Sequence, residues 1–396
     1  METICVMGLG YVGLPTASLL ATKGYSVAGI DIQHDVVEQI NRGKVHIVEP
    51  DLDIMVKSAV QSGNLTAFTE PQPADIFIIA TPTPFKEDHR PDLSYVFAAA
   101  EGIAGVIKAG DLVILESTSP VGTTEKVRDI IAQTRPDLEN FHVCHCPERV
   151  LPGRILQELI DNDRVIGGVD EPSTRRAVSF YQHFVRGELL ETTSRTAELA
   201  KLVENTSRDV NIAFANELSV ICDELDIDVW ELIDLANRHP RVNILRPGPG
   251  VGGHCIAVDP WFIVSSVPES SRLVRTAREI NDSKPSWVIR RVTEKAKRFK
   301  NPVIGCLGLS YKPDIDDLRE SPAMFIARQL TEANIGRVIV CEPHVTEIKG
   351  LELRSLDDLL AEADILVALV AHRQFKRIHG NRLEEKVVFD TCGVWR

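Results

Sequence analysis

Two blocks of the chain repeat one alternation, short β-branched runs followed by amphipathic stretches, and this restricts the fold to parallel sheets covered on both faces by helices. Before Thr196 the strand candidates are Thr3–Met7, Ser26–Asp31, Asp75–Ala80, Asp111–Glu116 and His142–Cys146. After Lys284-Pro285 they are Val303–Cys306, Arg337–Cys341, Asp364–Val370 and Lys386–Asp390. From Thr196 to Leu235 helical periodicity runs without strand signals. The expected class is α/β, with two Rossmann-like, doubly wound parallel-sheet domains joined by a helical connector, over residues 1–192, 193–285 and 286–396. A chain of 396 residues, 44% hydrophobic, has the material for two or three such cores. Two α/β domains joined in this way are expected to form a cleft.

The formal charge of −13 argues against nucleic acid or an anionic membrane surface as partner. An anionic small molecule would then need a local basic cluster. No run approaches the roughly 18 apolar residues of a membrane-spanning helix, and the opening strand Thr3–Met7 leaves no room for a basic leader, so a cytoplasmic protein is expected. Eight irregularly spaced cysteines read as small buried residues rather than a disulfide framework.

The first strand runs into Gly8-Leu9-Gly10-Tyr11-Val12-Gly13 and then a helical stretch, Leu14 to Thr22. In that context the first glycine makes the turn, the second admits a pyrophosphate and the third lets helix and strand pack closely. The helix N-terminus faces the phosphate charge. The second strand ends at Asp31, eighteen residues beyond Gly13, where a carboxylate can bind both ribose hydroxyls and repel a 2′-phosphate. No arginine follows it in Ile32-Gln33-His34, so NAD is favoured over NADP as the cofactor. The competing role for Asp31 is to cap a helix starting near Asp35.

Ligands of an open parallel sheet gather at the carboxyl ends of its strands. Three such ends carry polar, proline-stiffened loops: Thr81-Pro82-Thr83-Pro84, Ser117-Thr118-Ser119-Pro120-Val121-Gly122 and Cys146-Pro147-Glu148-Arg149. Their hydroxyls and Glu148 are candidate ligand contacts, although Ser119-Pro120 fits a helix N-cap equally well. Cys144-His145-Cys146 has superficial metal-ligand spacing, but the local sequence lacks the two further partners that zinc requires, and no metal is expected.

In the connector, Lys201, Asn205 and Arg208 fall at i, i+4 and i+7 on one helix face, with Asn211 and Asn216 at nearby angles. The alternatives are a solvated face and a polar site, and the helix's emergence from a dinucleotide domain favours the site. The loop Gly252-Gly253-His254-Cys255-Ile256-Ala257-Val258-Asp259 sets a thiol after two glycines, where a substrate carbon can approach closely, with a carboxylate four residues on. A thiol near its ordinary pKa of about 8.5 is a poor nucleophile at neutral pH, and Lys201 and His254 are candidates for lowering it.

Six segments in order, GLGYVG, STSPVGTTEK, CPERVLPG, ELAKLVENT, PGPGVGGHCIAVDP and GLSYKPDIDDLRESPA, resemble the UDP-glucose/GDP-mannose dehydrogenase family from residue 4 to the C-terminal block. The stretch NRHPRVNILRPGPGVGGHCIAVDPWF most resembles the branch acting on UDP-N-acetyl-D-mannosamine. The more common family loop has proline two residues after the cysteine, whereas this chain has Ala257, a departure that weighs against UDP-glucose.

The resemblance implies a four-electron oxidation of a UDP-sugar C6 alcohol to a carboxylate with two NAD molecules, feeding polysaccharide biosynthesis. It makes Cys255 the nucleophile that retains the aldehyde as a thiohemiacetal and then a thioester. It makes Lys201, or a water held by Lys201 and Asp259, the base, and Lys201 with Asn205 the stabilisers of the oxyanion. Glu148 and Thr118 assist hydrolysis. Substrate contacts fall on Arg149, Val150, Lys201, Asn205, Arg208, His239, Arg241, Gly252 and Lys312. Cofactor contacts fall on Gly8, Gly10, Tyr11, Val12, Gly13, Asp31, Thr83, Thr118 and Arg319. For Arg319 the alternative is a surface salt bridge with Asp316 or Asp317. The rivals are a dehydrogenase of another UDP-sugar, UDP-N-acetylglucosamine or UDP-glucose, a single-step β-hydroxyacid dehydrogenase, which needs no thiol, and an NAD-sensing binding module. A homodimer or larger assembly is expected through the connector helix.

Overall fold

The computed structural model describes every residue except Met1, Glu87, Asp88 and His254. The chain forms two compact units, Met1–Glu204 and Asn205–Arg396.

In the first unit the strands are β1 (Thr3–Met7), β2 (Ser26–Ile30), β3 (Leu65–Phe68), β4 (Ile76–Ile79), β5 (Leu112–Leu115), β6 (His142–His145), β7 (Arg164–Gly168) and β8 (Leu189–Thr193). They lie in the order β3-β2-β1-β4-β5-β6-β7-β8, so the order reverses between β1 and β4. Alternate side chains of a strand point to opposite faces, and here both faces are covered. Ile4, Val6, Ile76 and Ile78 join one apolar cluster, while Cys5, Met7, Phe77 and Ile79 join another. That double burial explains why β4 and β5 read as continuous apolar runs, IFII and LVIL.

Every neighbouring pair in this sheet is parallel except β6 and β7, which are antiparallel. Strands β3, β7 and β8 were absent from the sequence expectation. β7 contains Gly167-Gly168, residues that weaken strand propensity. Both are sterically required, since a Cβ on Gly167 would lie 2.2 Å from the Thr193 carbonyl oxygen and one on Gly168 2.5 Å from that of Asp170. β8 is a half-exposed edge without an apolar run.

The second unit holds β9 (Val303–Leu307), β10 (Arg337–Cys341), β11 (Glu352–Leu353), β12 (Ile365–Ala368) and β13 (Val387–Asp390). These form an all-parallel sheet in the order β11-β10-β9-β12-β13. Two clusters again cover its faces, one with Ile304, Cys306, Val338 and Val340, the other with Leu307, Ile339, Cys341 and Leu366. The helix Ser194–Glu224 crosses the boundary between the units. A second long helix, Arg272–Ala296, passes through Pro285, so the break expected at Lys284-Pro285 falls inside a helix.

In the second unit these two helices are joined by buried polar groups. Arg278 is fully buried and pairs with Asp209, itself fully buried, and with Asp282. Asn281 Nδ2 donates to Asp209 Oδ1 at 2.8 Å, and Asn216 Nδ2 donates to Asn281 Oδ1 at 2.8 Å. Burial raises the Asp209 carboxyl to about 6 against the opposing pull of Arg278. Removing one partner of such a pair strands the other charge in the interior. Arg278→Met is therefore expected to cost about 3–5 kcal/mol, read as a lowered urea midpoint.

Candidate active site

The first unit builds the glycine loop from close backbone approaches. Gly8 has φ +92°, and a Cβ there would lie 2.9 Å from the Ala80 carbonyl oxygen. A Cβ on Gly13, the first residue of the helix Gly13–Thr22, would lie 1.8 Å from the Gly8 carbonyl oxygen. Gly10 differs, with nothing within 4 Å of its Cβ position. Tyr11 is exposed, and Val12 precedes the helix without a side-chain cap.

Asp31 follows β2, where its Oδ2 accepts from Leu9 N at 3.2 Å and its Oδ1 from Gln33 N at 3.0 Å. The next helix, His34–Asn41, begins after Gln33 without a side-chain cap. The capping role for Asp31 is thus not realised; its carboxylate ties the glycine loop to the end of β2.

Thr83 and Thr118 come together, with Thr83 Oγ1 donating to the Thr118 carbonyl at 2.8 Å. Ser119 does not cap a helix. Its hydroxyl donates to Ser117 O, and the helix Thr123–Thr134 starts after Gly122 at φ +93°. The carboxylate at that N-terminus is Glu198, which accepts from Gly122 N and Thr124 N at 2.7 Å each. A contact from so distant a residue leaves no local signal.

Beyond β6, Glu148 is nearly buried. Its Oε1 accepts from Arg149 N at 2.6 Å and its Oε2 from Arg164 Nη1 at 2.9 Å. Arg149 donates to Glu204 Oε1 at 2.6 Å and to the Asp163 carbonyl at 2.5 Å, while Val150 packs against the core. Cys144 and Cys146 lie in that same core, where burial pushes both thiols up, Cys146 to about 11. Burial lowers His145 to about 3. Lys201 is half-buried on the Ser194–Glu224 helix.

In the second unit Asn205 Nδ2 donates to Asp259 Oδ2 at 2.5 Å. Asp259 is buried at the start of the helix Asp259–Ser266. The Cys255 carbonyl accepts from Val258 N at 3.1 Å and Asp259 N at 2.9 Å, closing a turn that leaves Cys255 exposed. His254, the expected basic neighbour of that thiol, lies outside the described residues.

The glycines before it serve the protein's own packing. A Cβ on Gly252 would lie 2.4 Å from the Glu320 carbonyl oxygen, and one on Gly253 3.1 Å from the Tyr311 ring. At their Cβ positions the two glycines therefore face neighbouring chain. Asn216 also differs from its expected place on an accessible polar face. It is fully buried, and its Oδ1 accepts from Gly248 N at 2.8 Å, pinning the loop to the helix. Asn211 is exposed and donates to Ser207 O.

Arg208, His239 and Arg241 are exposed, and Lys312 is half-buried with Nζ 5.7 Å from the Tyr311 ring centroid. Arg319 forms a two-pronged pair with Asp317 at 2.9 and 2.8 Å, the salt bridge considered as its alternative.

The second sheet repeats the geometry of the first with one difference. Gly308 has φ +87°, and Leu309 N donates to Glu342 Oε2 at 2.7 Å, as Leu9 N does to Asp31. Glu342 Oε2 also accepts from Ser310 N and lies 3.1 Å from His372 Nε2, while its Oε1 accepts from His344 N. His372 Nδ1 accepts from Asp314 N at 2.9 Å, so its proton sits on Nε2. Asp314, His344 and His372 have the proximity of a metal group, but the lone pair of His372 is already committed.

A glycine loop shaped for a dinucleotide, a second nucleotide-type sheet and a polar helix beside a thiol loop define a nucleotide-dependent oxidoreductase. Three consecutive family models match: the NAD binding domain over residues 2–185, the central domain over 195–283 and the UDP binding domain over 305–396. The chain belongs to the UDP-glucose/GDP-mannose dehydrogenase family.

It is 57% identical to an NDP-N-acetyl-D-galactosaminuronic acid dehydrogenase of Ralstonia nicotianae, over all of this chain and 96% of that protein. It is 55% identical to a UDP-N-acetyl-D-mannosamine dehydrogenase of Escherichia coli K12, over all of this chain and 99% of that one. The solved UDP-N-acetyl-mannosamine dehydrogenase Cap5O of S. aureus superposes with a TM-score of 0.90 at 41% identity, covering 99% of this chain and 95% of that one.

The glycines yield a paired prediction. Gly252→Ala forces backbone apart and is expected to cost about 1–3 kcal/mol, whereas Gly10→Ala, facing open space, changes stability by less than about 0.5 kcal/mol but weakens NAD binding. Thermal unfolding and NAD titration of both variants check this.

Proposed function

We propose that this chain oxidises UDP-N-acetyl-D-mannosamine at C6 to the uronate, with two NAD consumed per sugar. The observation that carries the chemistry is the exposed Cys255 on a turn closed by Asp259, whose carboxylate is held by Asn205. The domain reading is 1–192 for NAD, 193–285 for the helical connector and catalytic loop, and 286–396 for UDP-sugar.

The glycine loop fits NAD, since Gly10 leaves room for a pyrophosphate and Asp31 has lone pairs beyond its two backbone contacts. Gly8, Gly10, Tyr11, Val12, Gly13, Asp31, Thr83 and Thr118 hold it, with Arg319 as a late contact once released from Asp317. NAD bound there supplies the hydride acceptor for both oxidations.

Lys201, or a water it shares with Asp259, takes the proton of the C6 hydroxyl. The Cys255 thiolate bonds to the aldehyde carbon, and Lys201 and Asn205 stabilise the oxyanion of that thiohemiacetal. Oxidation of the adduct leaves a thioester on Cys255. Glu148, assisted by Thr118, accepts a proton from the water that cleaves it, releasing carboxylate and thiolate. Arg149, Val150, Arg208, His239, Arg241, Gly252 and Lys312 bind the substrate.

Ala257 and the mannosamine-type relatives at 55% identity support this sugar. The 57% identity to galactosaminuronic-type enzymes supports a second reading, an N-acetylgalactosamine nucleotide. A UDP-sugar panel decides, with NADH counted per product. UDP-N-acetylmannosamine is expected to give the highest kcat/KM and two NADH. Cys255→Ser is expected to lower acid formation at least about 1,000-fold; one NADH and an active serine variant would exclude the thioester route.

We also propose a cytoplasmic homodimer. Six of the eight cysteines are buried thiols, the usage of a reducing compartment. On the Ser194–Glu224 helix, exposed Phe214 and Ile221 of the second unit, seven residues apart, form an apolar stripe within about 20° around the axis. Such a stripe fits the same stripe of a second copy. Phe214→Glu with Ile221→Lys is expected to give monomers by light scattering, where the parent chain is dimeric or larger.

A further inference from the structure

Beneath the loop carrying Glu148, four elements of the first unit enclose a set of charged groups. Glu116 follows β5, Glu148 follows β6, Arg164 opens β7 and Tyr181 ends the helix Glu171–Tyr181. Their relative exposures are 2%, 9%, 4% and 1%. Arg164 Nη1 donates to Glu148 Oε2 at 2.9 Å and Nη2 to the Leu159 carbonyl at 3.1 Å, and the guanidinium lies 5.4 Å from the Tyr181 ring centroid. The Tyr181 hydroxyl donates to Glu116 Oε1 at 3.0 Å. Among the described residues Glu116 Oε2 and Arg164 Nε have no hydrogen-bond partner. The thiols of Cys144 and Cys146 complete the surroundings, both raised by burial.

One cation therefore faces two carboxylates. Burial pushes Glu116 up to about 7, Arg164 opposes that shift and Glu148 adds to it. A buried ion pair contributes little to stability over apolar residues of the same volume. Its location matters more, because Glu148 sits at the carboxyl end of a strand, where ligands of an open parallel sheet collect.

We propose that Arg164 is a positioning residue for thioester hydrolysis, holding the Glu148 carboxylate fixed in direction at the carboxyl end of β6. The inference rests on the reading of Glu148 as the group that activates water. In that step the water oxygen bonds to the thioester carbon, its proton passes to Glu148, the C–S bond breaks and Cys255 leaves as thiolate. Each carboxylate oxygen of Glu148 has one protein partner and a second lone pair for the water.

The test follows the Cys255 adduct by intact mass during turnover, together with the pH profile of its hydrolysis. Arg164→Met is expected to accumulate thioester and to move the acid limb of hydrolysis up by about one to three pH units, with KM for both substrates unchanged. Arg164→Lys, which restores the charge, is expected to return the limb towards its parental position. Glu116→Gln leaves the Arg164–Glu148 hydrogen bond in place and is expected to leave the limb in place.

An Arg164→Met limb that coincides with the parent's, or one that Glu116→Gln moves equally, overturns the role of Arg164. Failure of Glu148→Gln to accumulate thioester overturns the assignment of Glu148 itself and the inference with it. Thermal midpoints of all four variants separate misfolding from these outcomes, and Arg164→Lys carries the test if Arg164→Met does not fold.

Discussion

Both nucleotide-type sheets depend on one close approach, a left-handed glycine after the first strand that directs the next amide onto a carboxylate beyond the neighbouring strand. Gly8 and Asp31 do this in one unit, Gly308 and Glu342 in the other. The turn requires positive φ, which an L side chain rarely adopts. In the first unit the helix must also pass the turn at a distance that only Gly13 permits. The ligand-facing geometry of Gly10 and Asp31 follows from those contacts.

The same economy of space governs the thiol loop. Gly252 and Gly253 bring it against Glu320 and Tyr311, and Asn216 fixes it to a long helix through the Gly248 amide. Cys255 is thereby placed by close backbone packing at two glycines and by one asparagine amide. Asn205 and Asp259 complete the arrangement across 54 residues of sequence.

Much of this was legible in the sequence. Doubly covered strands produce continuous apolar runs, so β1, β4, β5, β9, β10 and β12 could be read to within a residue or two. β3, β7, β8 and β11 could not, because β3, β8 and β11 lie at sheet edges, β11 with only two residues, and β7 carries two sterically required glycines. The helix that carries Lys201 and Asn205 is legible from periodicity alone. The partners that hold functional side chains came from distant segments: Arg164 for Glu148, Glu204 for Arg149, Glu198 for the Thr123–Thr134 helix. No local pattern announces such contacts. Asn216 misled for the related reason that helical angle gives a direction but not what packs there.

An ionised carboxylate offers about four lone-pair positions. Asp31 uses two of them on backbone amides. Glu342 carries four donors unevenly, with Leu309 N, Ser310 N and His372 Nε2 crowding Oε2 and His344 N on Oε1. With Oε2 fully taken, that carboxylate cannot accept from both hydroxyls of a vicinal diol with one oxygen each, so the second sheet keeps the shape of a dinucleotide fold without the two-oxygen grip on a ribose that Asp31 retains. Duplicate architecture and distinct cargo are thus compatible within one chain, through the occupancy of a single acid.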